Sequence, residues 1–169
     1  MENGFDIALE HVGGNRMNFF SGLPRSGSTV LAALLNQNPA LHVTPTSSLI
    51  DTLGSLVHAW ENAPKNTEVD PSEIFRLLRA VVGEKYADKP VVLDKSRGWP
   101  APQIMSTMEK VLGRAPKIIA TVRNVPDCAA SFVRVAKPDD VQDFLRNSAP
   151  IAHLKQSYVA LQQGYEAAP

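Results

Sequence analysis

MNFFSGLPRSGSTVLAALLNQ, residues 17–37, is the stretch from which the fold of this chain is predicted. Its first part, Met17 to Gly22, is short and mostly apolar, as a buried strand is. From Ser26 to Gln37 leucines recur at helical spacing. A strand, a tight glycine-containing loop and a helix are therefore predicted in direct succession.

The alternation of strand and helix continues through the rest of the chain. Val91–Asp94 (VVLD) is a continuous apolar run typical of a strand buried on both faces, and Lys117–Val122 (KIIATV) is rich in β-branched residues. Leu41–Val43 is another short apolar piece. Further helices are predicted at residues 47–60, 72–87, 101–112 and 126–135, from 138 onward and at 151–165. The sequence therefore predicts an α/β fold with three layers, in which helices flank a mostly parallel sheet of about four to five strands.

The charge balance restricts the partners of this chain. Its 169 residues include 17 Lys+Arg and 17 Asp+Glu, which gives zero net charge with the His residues neutral. Because binding to nucleic acid depends on a surplus of Lys and Arg, we expect no nucleic-acid partner. An anionic ligand would need a local site.

The composition also indicates the compartment. With 44% hydrophobic residues the chain can bury a core, but no apolar run approaches the ~18 residues of a membrane span. Met1–Asn18 lacks the charged and then apolar order of a signal segment. The single Cys128 excludes an internal disulfide, and without a Cys/His cluster we expect no metal site. The prediction is a cytoplasmic protein in a reducing compartment, with no membrane span.

A phosphate-loop pattern occupies the turn after the first strand. Gly22 and Gly27 are separated by four residues and followed by Ser28 and Thr29, which gives G-x-x-x-x-G-S-T. The spacing and the strand and helix context match the nucleotide-binding loop G-x-x-x-x-G-K-[ST] and predict the topology of P-loop NTPases for the sheet. Ser28 replaces the Lys of that loop. Because that Lys contacts the transferred phosphoryl group in kinases, its replacement counts against ATP-dependent phosphoryl transfer.

The loop residues are suited to an anion. Gly27 lets backbone amides approach a bound group, and the start of the following helix offers N–H donors and a partial positive charge. Arg25 can grip two oxygens of one anion, while Ser28 and Thr29 add hydroxyl groups. The other interpretation is a polar strand-to-helix turn in which Ser26 or Ser28 caps the helix.

Leu23–Thr29 (LPRSGST) resembles the loop with which sulfotransferases bind the 5′-phosphosulfate of 3′-phosphoadenosine 5′-phosphosulfate (PAPS), in its Arg-containing form P-R-S-G-[ST]-T. Members of this family move a sulfuryl group from PAPS to an acceptor hydroxyl or amine. Arg123–Ser131 (RNVPDCAAS) is similar to the family's 3′-phosphate motif, an Arg at a strand end and a Ser eight positions on. The resemblance implies PAPS as co-substrate, no metal, and a donor site made of Pro24, Arg25, Ser26, Gly27, Ser28, Thr29, Arg123 and Ser131.

The second motif also has a reason that does not depend on the family. An Arg just past the carboxyl end of a parallel strand lies on the rim where such sheets bind ligands, and a Ser on the next helix can face the same point. Taken singly, Arg123 would be interpreted as a surface ion pair and Ser131 as an ordinary helix residue. Their spacing, downstream of the loop, favours a shared phosphate.

A third region follows the Val91–Asp94 strand. Lys95 resembles the Lys of the family's K-[ST]-P region, and the resemblance implies a catalytic role for it beside Arg25. Arg97 and Trp99 are expected on the same rim, where they would contact the acceptor. For Trp99 a half-buried loop position is the alternative.

No motif identifies the general base. Arg-containing, tyrosine-directed members of the family supply a Glu shortly after the first helix, and the corresponding stretch Leu41–Ser47 has no carboxylate. Asp94, at a strand end beside Lys95, is the first candidate for the base, and an ion pair with that Lys is the alternative role. His42 and Asp51 are the next candidates.

The resemblance covers nearly all of the chain and the front part of the family fold. Family domains commonly continue with a strand bearing a Y-E-D-like segment and with a Gly/Lys loop that closes over the nucleotide. We therefore expect one sulfotransferase-like nucleotide-binding domain over residues 1–169, incomplete at its C-terminus. An incomplete sheet has an open edge, which is compatible with a homo-oligomer. The alternatives to a sulfotransferase are a P-loop kinase with a degenerate loop and a truncated, non-catalytic nucleotide-binding remnant.

Overall fold

The computed structural model describes residues 17–64, 70–89 and 91–168. The expectation that the N-terminus lacks a signal segment falls almost entirely on residues 1–16, outside these ranges. No helix within them is long and apolar enough to cross a membrane.

Four parallel strands form the sheet in the described part of the chain. They are β1 (Met17–Gly22), β2 (Leu41–Val43), β3 (Val91–Lys95) and β4 (Ile118–Thr121), in the order β2-β3-β1-β4. In the register of the sheet, Phe19 of β1 lies opposite Asp94 of β3 and opposite Ile118 of β4. The predicted parallel sheet is confirmed. Because all four strands run in one direction, their carboxyl ends meet at one edge.

Seven helices accompany the sheet over the described ranges. They are α1 (Ser28–Leu35), α2 (Leu49–Glu61), α3 (Pro71–Lys85), α4 (Pro102–Leu112), α5 (Val125–Ala136), α6 (Val141–Asn147) and α7 (Ala149–Glu166). Local sequence determines several of their ends. The carboxylate of Asp70 accepts a hydrogen bond from the Ser72 N–H at the start of α3, and Gly113 ends α4 with a left-handed φ of 68°.

Helices cover the sheet on both faces, because successive side chains of a strand point to opposite sides. Phe19 is buried on one face among residues of α2, α3 and α4. Phe20, the next residue, is buried on the other face with Ala32 of α1 and with Val43 and Leu93. The predicted α/β fold with three layers is therefore confirmed.

A third apolar cluster holds the loop that follows β1. Leu23 of that loop is buried with Cys128 of α5 and Leu154 of α7. Helices from late in the sequence thus pack against a loop from its beginning. The loop lies at the edge where the strands end because it follows β1, and this packing holds it against α5 and α7.

Candidate functional site

A cavity of about 690 Å³ lies at the carboxyl ends of the strands. It is formed by the loop after β1, the start of α1, the segments after β2, β3 and β4, and parts of α2 and α5. The lining residues are Ser21, Gly22, Pro24, Arg25, Gly27, Ser28, Thr29, Val30, Thr46, Ser47, Asp51, Lys95, Ser96, Arg97, Arg123, Ser131 and Phe132. All the residues predicted for the donor, catalytic and acceptor sites are among them except Ser26, Asp94 and Trp99.

The loop after β1 approaches β4 very closely. A side chain at Gly22 would place its Cβ 2.1 Å from Oγ1 and 2.7 Å from the carbonyl oxygen of Thr121, so only glycine fits there. Further along the loop, Arg25 (φ 68°) and Gly27 (φ 90°) both have left-handed backbone conformations. Such a conformation is uncommon for a residue with a side chain, and at Arg25 it turns the chain within the tight loop.

Ser26 holds this loop in place. Its Oγ donates to the carbonyl oxygen of Leu23 at 2.6 Å and forms a second hydrogen bond, also of 2.6 Å, with Oγ1 of Thr121 at the end of β4. The hydroxyl is therefore engaged with the protein, and Ser26 does not line the cavity. The role of the Ser26 hydroxyl is therefore to support the loop.

The first turn of α1 presents backbone donors to the cavity. Gly27 is the N-cap residue, and no side chain caps the helix, so the interpretation of Ser26 or Ser28 as a cap is wrong. The first helical hydrogen bond runs from the N–H of Leu31 to the carbonyl of Gly27 at 3.0 Å. The amides of residues 28–30 therefore have no partner within the helix, and an anion there also gains from the helix dipole.

Arg25, Arg123 and Ser131 meet on one side of the cavity. Nε of Arg25 donates to Oγ of Ser131 at 3.0 Å, and Nη1 of Arg123 donates to the carbonyl oxygen of Arg25 at 3.4 Å. Nε of Arg123 also lies 3.8 Å from the carboxylate of Asp127, an exposed ion pair of the weak kind. The fold thus joins the two sequence motifs into a single cationic corner.

Lys95 extends from the end of β3 to the start of α1. Its Nζ donates to Oγ1 of Thr29 at 3.1 Å. Burial lowers the pKa of Lys95 below its ordinary value, and the nearby charge of Arg97 lowers it further. An anion bound beside Lys95 would oppose both effects.

Asp94 does not line the cavity. It is fully buried, and its carboxylate accepts hydrogen bonds from Oγ of Ser47 at 2.6 Å, from Nε1 of Trp99 at 2.9 Å and from Oη of Tyr86. Burial raises the pKa of Tyr86 above its ordinary value, and the hydrogen bond to Asp94 raises it further, so the phenol remains a donor. Because Asp94 is buried outside the cavity, it has no access to an acceptor. The assignment of Asp94 as the general base is therefore wrong.

Trp99 is also turned away from the cavity. It is 1% exposed, and its ring centroid lies 4.4 Å from that of Phe19. Its indole N–H donates a hydrogen bond to Asp94. Its burial corrects the expectation that it contacts the acceptor. Arg97, two residues earlier, is exposed and does line the cavity.

Asp51, in the first turn of α2, is the one carboxylate among the described residues that line the cavity. His42, the other lower-ranked candidate for the base, lines a separate cavity of about 250 Å³ together with Tyr86.

Thr46 and Ser47 also line the main cavity and have no motif that identifies them, but they follow β2 and obey the same strand-end rule. No group of three or more metal-ligating side chains occurs in the described ranges.

One family model matches this chain, over residues 19–169, and its description is "Sulfotransferase family". The matched region contains every side chain that lines the cavity. No curated protein matches the sequence.

Proposed function

Because the chain belongs to the sulfotransferase family, we propose that it transfers a sulfuryl group from PAPS to the hydroxyl or amine of an acceptor. The observation that carries the proposal is the convergence of Arg25, Lys95 and Arg123 on one cavity in a chain of zero net charge. PAPS has a phosphosulfate and a 3′-phosphate, so it needs two anion sites. A cavity of about 690 Å³ is in the usual range for a ligand of this size.

The phosphosulfate binds at the first turn of α1. The amides of residues 28–30 and the hydroxyls of Ser28 and Thr29 supply donors, and Lys95 supplies a positive charge. We assign the 3′-phosphate to the corner where Arg25, Arg123 and Ser131 meet, which moves Arg25 from the catalytic role beside Lys95 that the resemblance implies to a role in holding the donor. A phosphate there can take hydrogen bonds from both guanidinium groups, which strengthens its hold relative to neutral donors.

The transfer step is a displacement at sulfur. The acceptor oxygen or nitrogen forms a bond to sulfur while the bond from sulfur to the bridging oxygen breaks, and 3′-phosphoadenosine 5′-phosphate (PAP) leaves with the electron pair. Lys95 and the α1 amides stabilise the charge that develops on the bridging oxygen. The acceptor proton passes to the carboxylate of Asp51, which lines the same cavity.

One contact distinguishes this site from that of a P-loop kinase. In kinase-type loops the hydroxyl that follows the loop Lys binds Mg²⁺, and Thr29 stands at that position. Here Oγ1 of Thr29 accepts a hydrogen bond from Lys95, so this hydroxyl already has a cationic partner supplied by the protein. A sulfuryl group carries less negative charge than a phosphoryl group and needs less cationic compensation.

Calorimetry with PAP and, separately, with Mg-ATP tests the proposal. We expect metal-free PAP to bind the more tightly. Arg123→Ala should weaken PAP binding by about tenfold, because it removes a charge-assisted contact. Arg146→Ala is the matched control, since Arg146 lies exposed on α6, and its one side-chain hydrogen bond within the described ranges is to Gln142 of the same helix.

Three outcomes contradict parts of this proposal. Tighter binding of Mg-ATP would favour a kinase. Unchanged PAP affinity in the Arg123→Ala protein would remove the 3′-phosphate site. Binding of PAP without sulfuryl transfer to any member of a panel of phenols, saccharides and amines would favour the non-catalytic remnant.

A further inference from the structure

A second cavity, of about 310 Å³, adjoins the proposed donor site. We call it the Arg97 cavity. Its lining residues are Arg97, Gly98, His153, Gln156, Ser157 and Ala160. Arg97 also lines the main cavity, so the two spaces share one side chain. No residue of the two donor motifs lines the second cavity.

Arg97 differs from the other cations of the site. Arg25 and Lys95 donate to Ser131 and Thr29, and Arg123 lies beside Asp127. None of the ion pairs in the described ranges involves Arg97, although its guanidinium is close enough to Lys95 to lower the pKa of that residue. Two neighbouring cations that form no ion pair within the described ranges favour a second anion at this point.

The wall opposite Arg97 is a polar face of α7. His153, Gln156 and Ser157 lie three and four residues apart, so their side chains share one side of the helix. The hydroxyl of Ser157 donates to the carbonyl oxygen of His153 at 2.8 Å, which leaves the imidazole and the Gln156 amide as the groups that can contact a ligand. Ala160 adds a small apolar surface beside them.

Close packing fixes this wall against the segment after β3. Gly164 of α7 is buried against Pro100, and a Cβ there would lie 2.3 Å from the Pro100 carbonyl oxygen. A Cβ at Gly98 would lie 2.6 Å from Cδ1 of Ile50. The cavity therefore lies between α7 and the segment after β3, two elements that pack closely at Gly164.

We propose that the Arg97 cavity binds the part of the acceptor remote from the reacting hydroxyl, and that Arg97 pairs there with a carboxylate or sulfate of the acceptor. The inference rests on the proposed function and specifies its substrate class: hydroxyl compounds that carry an acidic group. His153 and Gln156 hydrogen-bond the neighbouring polar groups, and Ala160 contacts a ring face. A uronic-acid saccharide and a phenolic acid share this chemistry.

Paired probes test the inference by ligand-observed NMR titration of the protein saturated with PAP. The saccharide arm compares methyl β-glucuronide with methyl β-glucoside, and the phenol arm compares 4-hydroxyphenylacetate with 4-methylphenol. In at least one arm the acid should bind about tenfold more tightly than its neutral partner, as a charge-assisted contact provides. The arm that shows the preference identifies the source of the acid.

Variants locate the preference in the cavity. Arg97→Gln should abolish the advantage of the acid over its neutral partner, a ratio that a uniform change in affinity does not alter. His153→Ala together with Gln156→Ala should weaken both members of the preferred pair severalfold. Lys155→Ala is the control, because Lys155 is exposed on α7 between those residues and does not line the cavity.

Two results would overturn the inference. One is equal binding of acid and neutral probes in both arms, and the other is a preference that survives Arg97→Gln. A failure of the proposed function gives a different result, since PAP would then not bind to the unmodified protein. In that case the same titrations on the free protein still decide whether Arg97 holds an acid.

Discussion

Asp94 and Lys95 are neighbours in β3, and their side chains take opposite directions. Lys95 enters the cavity and contacts Thr29, whereas Asp94 is buried and accepts three hydrogen bonds from the protein. The alternation of side chains along a strand requires this split. The same rule applied to the sequence would have separated a cavity residue from a core residue at this strand end.

The two aspartates should therefore respond differently to substitution. Asp94→Ala leaves two buried donors and the half-buried Tyr86 hydroxyl without this acceptor, and should lower the free energy of unfolding by roughly 3 kcal/mol. Asp51→Asn should change that free energy by less than about 0.5 kcal/mol, because Asp51 is exposed. With the preferred acid probe as acceptor, it should lower kcat roughly 100- to 10,000-fold, as loss of a general base does. Urea unfolding measures the free energies of both variants, and steady-state kinetics measures kcat. Full activity of the Asp51→Asn protein would show that Asp51 is not the base.

Lys95 gives the site a pH dependence. Burial and the charge of Arg97 lower the pKa of Lys95 in the free protein, and a bound anion favours the ammonium and raises it again. PAP binding and protonation of Lys95 therefore favour each other. PAP affinity should fall as the pH rises through the lowered pKa of Lys95. Lys95→Arg keeps its charge and should lose this alkaline decline. Calorimetry from neutral to alkaline pH measures the PAP affinity of the unmodified protein and of Lys95→Arg. If both affinities depend on pH in the same way, the decline belongs to a group other than Lys95.

The elements were predictable to a large extent because each has a local signal. The apolar run of β3, the β-branched run of β4 and the Asp70 and Gly113 helix ends all lie in short stretches. The start of α1 was less accessible from sequence. Ser26 looks like a cap, but in the folded chain its hydroxyl contacts Thr121 from a distant strand, so the helix begins at residue 28. A contact between remote elements leaves no local pattern.

Two glycines in helices test how the elements pack. Gly54 in α2 has open space around its Cβ position, so Gly54→Ala should raise the free energy of unfolding by about 0.5–1 kcal/mol through helix propensity. Gly164 in α7 contacts the Pro100 carbonyl, and Gly164→Ala should lower that free energy by about 1–3 kcal/mol. Thermal or urea unfolding compares the variants. A stabilising Gly164→Ala would mean that α7 does not lie against the segment after β3.

For the molecule as a whole, the topology could be predicted from the sequence more completely than the arrangement of its charged side chains. The alternation of strands and helices predicts a parallel sheet with one ligand edge, and the family match over residues 19–169 agrees with it. β4 has one partner strand in the described ranges, with Ile119 48% exposed, and the homo-oligomer expected from an open edge stays a prediction. The convergence of cations was predictable from the strand-end rule, but the Arg25 to Ser131 contact that joins two motifs required the fold.

The zero net charge makes a last prediction possible, because it separates local from global electrostatics. With 17 charges of each sign, the whole molecule exerts little long-range attraction on an anion, so the salt dependence of PAP binding should arise from Arg25, Lys95 and Arg123. Raising KCl should weaken PAP binding, and less steeply in Arg123→Ala than in the unmodified protein. Calorimetry over a salt series measures the two slopes, with Arg146→Ala as the control that should keep the steeper one. If all three proteins share one slope, the bound anion does not contact Arg123, and the second anion site has to lie elsewhere in the cavity.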